Sequence, residues 1–470
     1  MARLVVISNR VAVPEGNGKA PPGGLAVAVD AAMREREGIW FGWSGKASET
    51  PAAPAATEVD HVRYVVTDLR PTEFDEYYHG FANRVLWPIL HYRVDLAEFS
   101  SANYEGYLRV NAFFADRLSE MLQPDDVIWV HDYHLMPLAR ALRIRGHMNR
   151  IGFFLHIPLP PPDLLTTLPK HKAIVGALTD FDLIGFQTEN DAGNFARYLT
   201  TTIGAATRDG RLYQVGDRAF RIGVFPVGID PHGIRKLASR AVKSSFVSDL
   251  ERSLVGRSMV IGVDRLDYSK GILHRIDGYQ RFLESSPDWR GKVTYLQIAP
   301  RSRSDIPEYA DMDAAVSGKV GHINGLYGDV AWVPLRYVNR NYRRSEVAGM
   351  LRLARAGLVT PLRDGMNLVA KEYVAAQDPD DPGVLILSEF AGAAAELEGA
   401  LLVNPHDHDE IASAIRNALE MTITERRARH SDMFAVLEAN DIKYWAKSFL
   451  DALTLPGRPM NWLSQRVRTH

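Results

Sequence analysis

The chain has 470 residues, of which 46% are hydrophobic, 24% charged and 9% aromatic, an ordinary globular composition that excludes the disordered and fibrous classes. It contains no cysteine, which removes disulfides, thiol nucleophiles and Cys-based metal sites and fits a reducing compartment. Lys plus Arg number 55 against 57 Asp plus Glu, a formal charge of −2, so no global field attracts nucleic acid and any anion must be met by a local basic cluster. At ~150 residues per domain the length allows about three ordinary domains or two large ones.

The first apolar run, residues 4–7, stops at Ser8-Asn9-Arg10. It is too short for a signal region or a membrane span, and a soluble cytoplasmic protein is expected. Further on, Pro21-Pro22-Gly23-Gly24-Leu25 leads into a helical pattern. The paired glycines there are either plain turn punctuation or a place where backbone N–H groups approach a phosphate. The Pro- and Ala-rich stretch 51–56 reads as a surface loop.

Strands follow at 127–130, 151–155 and 183–186, each short, apolar and rich in β-branched or aromatic residues. Directly after two of them come His131-Asp132-Tyr133-His134 and His156-Ile157-Pro158. Ligands of parallel sheets bind beyond the carboxyl ends of strands, so Asp132 and His156 are expected at one sheet edge, where they could hold sugar hydroxyls. A metal site made of His131, Asp132, His134 and His156, or plain core histidines, are the rival readings. Alternation of side chains along a strand argues against convergence of His131 and Asp132 on one ion.

Arg208-Asp209-Gly210-Arg211 has the composition of a hairpin turn. Two prolines and a glycine then punctuate residues 225–231, the expected domain boundary. Beyond it a second strand series runs through 259–263, 295–298, 358–360, 384–387 and 401–403. Strands alternating with helical patterns in both series predict an α/β protein with two parallel-sheet halves and a cleft between them. In the second half Arg265 and Lys270 follow a strand and precede a helix, an anion-binding arrangement. Arg301 and Arg303 follow the next strand. The segment Arg363-Asp364-Gly365-Met366-Asn367-Leu368-Val369-Ala370-Lys371-Glu372 turns from a strand into a helix whose first N–H groups can face a diphosphate, with Glu372 in reach of a ribose. The Asp-x-Asp triplets at 180–182, 311–313, 378–380 and 407–409 follow no convincing strand and read as solvated faces rather than metal ligands.

Together these segments resemble the trehalose-6-phosphate synthases, retaining glucosyltransferases of family 20. The likeness runs from Leu4 to about Trp445 and includes Trp40-Phe41-Gly42-Trp43-Ser44-Gly45, Tyr77-Tyr78, Leu86-Trp87-Pro88 and Gly185-Phe186-Gln187-Thr188. The resemblance implies a GT-B fold of two Rossmann-like domains facing each other across a cleft. They would be an acceptor-binding domain over 1–228, completed by 446–470, and a nucleotide-sugar-binding domain over 229–445. It implies transfer of glucose from UDP-glucose to glucose 6-phosphate with retention. Arg10, Tyr78, Trp87, Asp132 and Arg303 would hold the acceptor. Gly23, Gly24, Arg265, Lys270, Tyr342 and the run from Asp364 through Glu372 would hold the donor. Arg265, Lys270, His156 and Asp364 would act at the reacting centre, without metal or cofactor, UDP-glucose being a co-substrate. The same resemblance implies a homo-oligomer, a tetramer, and a separate trehalose-6-phosphate phosphatase downstream, with no nucleic-acid or membrane partner. Two alternatives stand beside it: a related synthase using ADP- or GDP-glucose or another phosphorylated acceptor, and a catalytically silent sugar-phosphate sensor.

Overall fold

The computed structural model describes residues 2–11, 13–14, 29, 33, 37–51, 54–207, 209–301 and 307–455. The chain divides into two compact units, Met1–Val227 together with Ile442–His470, and Gly228–Asp441. Among the described residues no helix is long and apolar enough to cross a membrane.

The first unit is built on a ten-stranded sheet. Its strands are β1 (Leu4–Arg10), β2 (Gly38–Ala47), β3 (Ala55–Val59), β4 (Val62–Leu69), β5 (Val127–His131), β6 (Arg150–Phe154), β7 (Leu183–Phe186), β8 (Ala206–Thr207), β9 (Leu212–Val215) and β10 (Arg218–Val224). Their order is β3-β4-β2-β1-β5-β6-β7-β10-β9-β8. The central pairs are parallel, and only the two ends are antiparallel. The central strands read as continuous apolar runs because both of their faces are covered.

The sheet margins differ from the sequence expectation. Ala55 and Ala56 do lie exposed, but in an edge strand paired antiparallel with Val66 and Val65 rather than in a loop. The adjoining β2 and β4, and the second unit's strand Leu335–Val338, were not predicted as strands. Glycine and tryptophan in β2 and alternating polar residues in β4 mask the apolar run. Between β8 and β9 the expected turn is present, with Gly210 at φ +71° and the Asp209 carboxylate accepting the N–H groups of Arg211 and Leu212. Arg208 lies outside the described residues.

The helix Ile442–Thr454 closes one face of this sheet. Its Phe449 ring stacks on Trp129 of β5 at 4.7 Å and 12°, and Trp445 lies 4.9 Å from the same indole. Gly152 in β6 makes room for that ring, since a Cβ there would stand 2.8 Å from it.

The second unit carries a six-stranded sheet of β11 (Ser258–Val263), β12 (Val293–Ile298), β13 (Leu335–Val338), β14 (Ala356–Val359), β15 (Val384–Ser388) and β16 (Leu401–Val403). All five pairings are parallel. The order is β13-β12-β11-β14-β15-β16, the doubly wound order whose reversal, between β11 and β14, opens a crevice at the strand carboxyl ends.

Phe449→Ala empties a fully buried, ring-lined site, and a loss of about 3–5 kcal/mol is expected. Denaturant unfolding followed by near-UV signal from Trp129 and Trp445 checks this. A loss under about 1 kcal/mol would mean that the helix is not anchored through this ring.

Candidate functional site

In the first unit the chemistry-bearing residues cluster where the sheet order reverses, after β1 and β5. Arg10 ends β1 and is exposed. Its guanidinium covers Gly45, where φ is +88° and a Cβ would lie 2.6 Å from Arg10 Nε, so only glycine fits there without strain. Tyr78 stands on a wide π-type helix, Phe74–Leu86, that runs directly into Trp87.

Asp132 leaves β5 at φ +74° and ψ 166°, a conformation costly for any residue with a Cβ. The turn it starts places Tyr133 5.8 Å from Trp87 and stacks His134 on Tyr78 at 5.9 Å and 12°. Three acceptor candidates, Tyr78, Trp87 and Asp132, are therefore gathered by one short turn. The Asp132 carboxylate also accepts the His156 backbone N–H at 3.3 Å, and His131 Nδ1 lies 3.0 Å from His156 Nε2. Burial holds the His156 imidazole down at about 3 and keeps His131 well below its ordinary range, so both rings are neutral at physiological pH.

In the second unit the sequence from β11 runs through a tight turn into the helix Ile272–Ser285. Asp267 caps the turn by accepting Ser269 N–H and Oγ–H and is itself held by the Tyr309 hydroxyl. Lys270 Nζ then meets Asp364 Oδ2 at 2.5 Å. Asn367 Nδ2 donates to the same oxygen at 3.1 Å. Asn367, at φ +71°, is the N-cap of the helix Leu368–Ala376 and accepts from Ala370 N–H. The Leu368 and Val369 amides of the first turn have no partner within their own helix by position. Gly365 and Met366 are buried beneath the turn, where Ala393 N–H donates to the Met366 carbonyl. Arg265 is exposed on the same strand end.

The remaining donor-side candidates divide. Glu372 is partly buried 4.0 Å from Arg344, and burial raises its carboxyl against that pull. Tyr342 receives a hydrogen bond from Arg340 and packs on Phe246. Lys371 turns into the core, where its ammonium pairs with Glu396 at 2.6 Å, so of this residue only the backbone faces the helix's first turns. Gly23, Gly24 and Arg303 lie outside the described residues. Among the described residues no group of three or more His, Cys, Asp or Glu side chains is placed to hold a metal ion.

Sequence reasoning missed Arg275. It is fully buried and reaches Asp264 at 2.8 Å, Thr360 Oγ1 and Gln297 Oε1 at 3.1 Å each, and the Lys270 carbonyl at 3.2 Å. An arginine on an amphipathic helix, five residues after Lys270, carries no local sign that it points inward.

A doubly wound sheet with cations and a helix N-terminus at its switch point defines a nucleotide- or phosphate-ester-handling α/β protein. The model of glycosyltransferase family 20 matches residues 3–455. A trehalose-6-phosphate synthase of Sinorhizobium fredii is 54% identical over 97% of this chain and 98% of its own length. A Burkholderia xenovorans synthase crystallised with glucose 6-phosphate superposes with a TM-score of 0.93 at 46% identity, covering 96% of this chain and 100% of that one. An Escherichia coli structure bound with UDP-2-fluoro glucose gives a TM-score of 0.93 at 45% identity, covering 97% and 100%. The fold is GT-B, with two Rossmann-like domains. The chain belongs to glycosyltransferase family 20 and is a glycosyltransferase.

Arg275→Met leaves the Asp264 carboxylate buried and uncompensated, and a loss of about 3–5 kcal/mol is expected. Adding Asp264→Asn should restore more than half of it in denaturant unfolding. A second expectation concerns pH. His156 binds its proton at about 3 in the folded chain and at about 6.5 when unfolded. The unfolded state therefore takes up the proton first, and stability present above about pH 6.5 is lost as pH falls toward about 3. Thermal melts between these limits should fall more steeply for the native chain than for His156→Gln; parallel curves would contradict a buried neutral His156.

Proposed function

We propose that this glycosyltransferase makes α,α-trehalose 6-phosphate, moving glucose from UDP-glucose to glucose 6-phosphate with retention and releasing UDP. The observation that carries the reading is the node of Lys270, Asp364 and Asn367 set at the first turn of the helix Leu368–Ala376. Such a node supplies a fixed ammonium and the first-turn backbone N–H groups of a helix to a diphosphate. The relatives crystallised with glucose 6-phosphate and with a fluorinated UDP-glucose support the choice of the two substrates.

On this reading the second unit binds the donor. Arg265 and Lys270 meet the diphosphate, the backbone from Asp364 through Lys371 cradles it, Glu372 takes the ribose hydroxyls and Tyr342 borders the base. Gly23 and Gly24 are assigned to the donor on the family motif that they match. Arg10, Tyr78, Trp87 and Asp132 form the acceptor pocket, with Arg10 and Arg303 on the 6-phosphate. His156 and Asp364 hold hydroxyls of the transferred glucose.

Retention follows from attack on the face the diphosphate leaves. The bond from the anomeric carbon to the phosphate oxygen breaks, the acceptor's O1 bonds to that carbon, and the O1 proton passes to the departing phosphate. Asp364 is engaged by two donors, which suits a fixed charge partner better than a nucleophile. The charge that grows on the leaving group is offset by Arg265 and Lys270, where preorganised cations act most strongly. The protein's own cations thus meet the diphosphate, and UDP-glucose is a co-substrate rather than a cofactor. We further assign the protein to the cytoplasm and to a homo-oligomeric, tetrameric assembly. Its product, a phosphate monoester, passes to a separate phosphatase.

UDP release should require UDP-glucose and glucose 6-phosphate together, and phosphorus NMR should show an α,α-linked sugar phosphate. Turnover of ADP- or GDP-glucose, or of another phosphorylated acceptor, with none of this pair would overturn the assignment. Arg265→Ala and Lys270→Ala are each expected to lower kcat at least ~10²-fold. Arg303→Ala should chiefly raise the KM for glucose 6-phosphate; a rise confined to the donor KM would reverse its place in the site.

A further inference from the structure

His131 stands apart from the residues so far given a role, yet it is fully buried and touches His156 with a single, well-formed contact. We propose that His131 is a positioning residue that fixes His156 in the tautomer with its proton on Nδ1, so that His156 offers the transferred sugar an N–H donor rather than a lone pair. The proposal rests on His156 facing the donor sugar, as assigned above.

The argument begins with proton counting. His131 Nδ1 and His156 Nε2 are 3.0 Å apart, a distance that holds one hydrogen between them, and both rings are neutral because burial disfavours their charged forms. Either His131 donates and His156 accepts, or the reverse. The other nitrogen of His131 decides. His131 Nε2 is buried with no hydrogen-bond partner among the described residues, and the ring's aromatic neighbours are Trp129, Trp445 and Phe154, with centroids 4.6, 6.3 and 6.5 Å away. An orphaned N–H in such surroundings is rarer and costlier than an orphaned acceptor. The His131 proton therefore sits on Nδ1 and points at His156 Nε2. His156 must then carry its own proton on Nδ1, the nitrogen turned away from His131.

The backbone supports the same orientation. Asp132 adopts its costly φ of +74° and accepts the His156 N–H at 3.3 Å, which fixes the main chain while His131 fixes the ring. A donor at Nδ1 suits a hydroxyl oxygen, whose own hydrogen stays free to find a second acceptor.

The tautomer can be read directly on the full-length native protein with ring-¹⁵N-labelled histidine, His156 being assigned by its loss in His156→Gln. A protonated, pyrrole-type Nδ1 and an unprotonated, pyridine-type Nε2 are expected, unchanged between about pH 6 and about pH 8. A protonated Nε2 overturns the proposal whether or not the enzyme turns over UDP-glucose, and absence of turnover with the expected tautomer faults only the functional reading. For the variants, Asn can place an N–H where His131 Nδ1 stands and Leu cannot. His131→Asn should keep kcat within about threefold, whereas His131→Leu should lose at least about tenfold in kcat with the glucose 6-phosphate KM unchanged. Equal loss in both variants, with unfolding transitions like the native chain's, would mean that His131 only fills space.

Discussion

The second unit depends on one buried guanidinium. Arg275 reaches four acceptors on four segments: Asp264 after β11, the Lys270 carbonyl in the following turn, Gln297 in β12 and Thr360 after β14. Strands β11 and β14 are neighbours, but their outgoing chains must part at the switch point to make a crevice. Parting leaves strand-end groups without ladder partners, and a planar fork with five donors can satisfy several of them at once. Burial pushes the Asp264 carboxyl up, against the pull of Arg275 and Lys270. The crevice is thus held open by a charge that cannot leave without exposing another.

On the proposed reading the two units solve different recognition problems. In the first, the site is assembled from aromatic rings and neutral imidazoles around the Asp132 turn, with Arg10 as the exposed cation at its edge. Flat rings and uncharged donors suit sugar hydroxyls, which need orientation more than charge. In the second, an ammonium, a carboxylate and an amide side chain meet at a helix N-terminus, as a diphosphate requires. The placement of charge, rather than its total, divides the labour, and a formal net charge of −2 conceals it.

Legibility in the sequence followed burial. Strands covered on both faces, such as β5, β11 and β15, show as near-continuous apolar runs and were read within one or two residues. Edge strands such as β3 and β13 have solvent on one side and lose that signature. The proposed site residues are marked in the sequence by the strands before them: Asp132 follows β5 directly, Arg265 lies two residues beyond β11 and Asp364 five beyond β14. Residues that act through a partner are not. Arg275 looks like any helical arginine, Lys371 sits inside a motif yet turns to Glu396, and His131 reads as a core or metal histidine until its distance to His156 is known. These pairings join positions separated by 22 or 25 residues in the chain, and no local pattern encodes them.

The Lys270–Asp364 pair sharpens what preorganisation means here. An ammonium carries three donors, and Asp364 takes one of them at 2.5 Å while Asn367 shares the same carboxylate oxygen. The pair leaves Lys270 two further donors and removes most of the freedom of a long, flexible side chain. With 12% of that side chain exposed, the entropy of fixing it is lost on folding rather than on binding. A diphosphate arriving at such a site meets a cation already aimed. Both donors engage Oδ2 of Asp364, and on the proposed reading that carboxylate serves as a fixed charge partner rather than as a nucleophile. A site built this way favours chemistry in which the leaving group itself receives the proton.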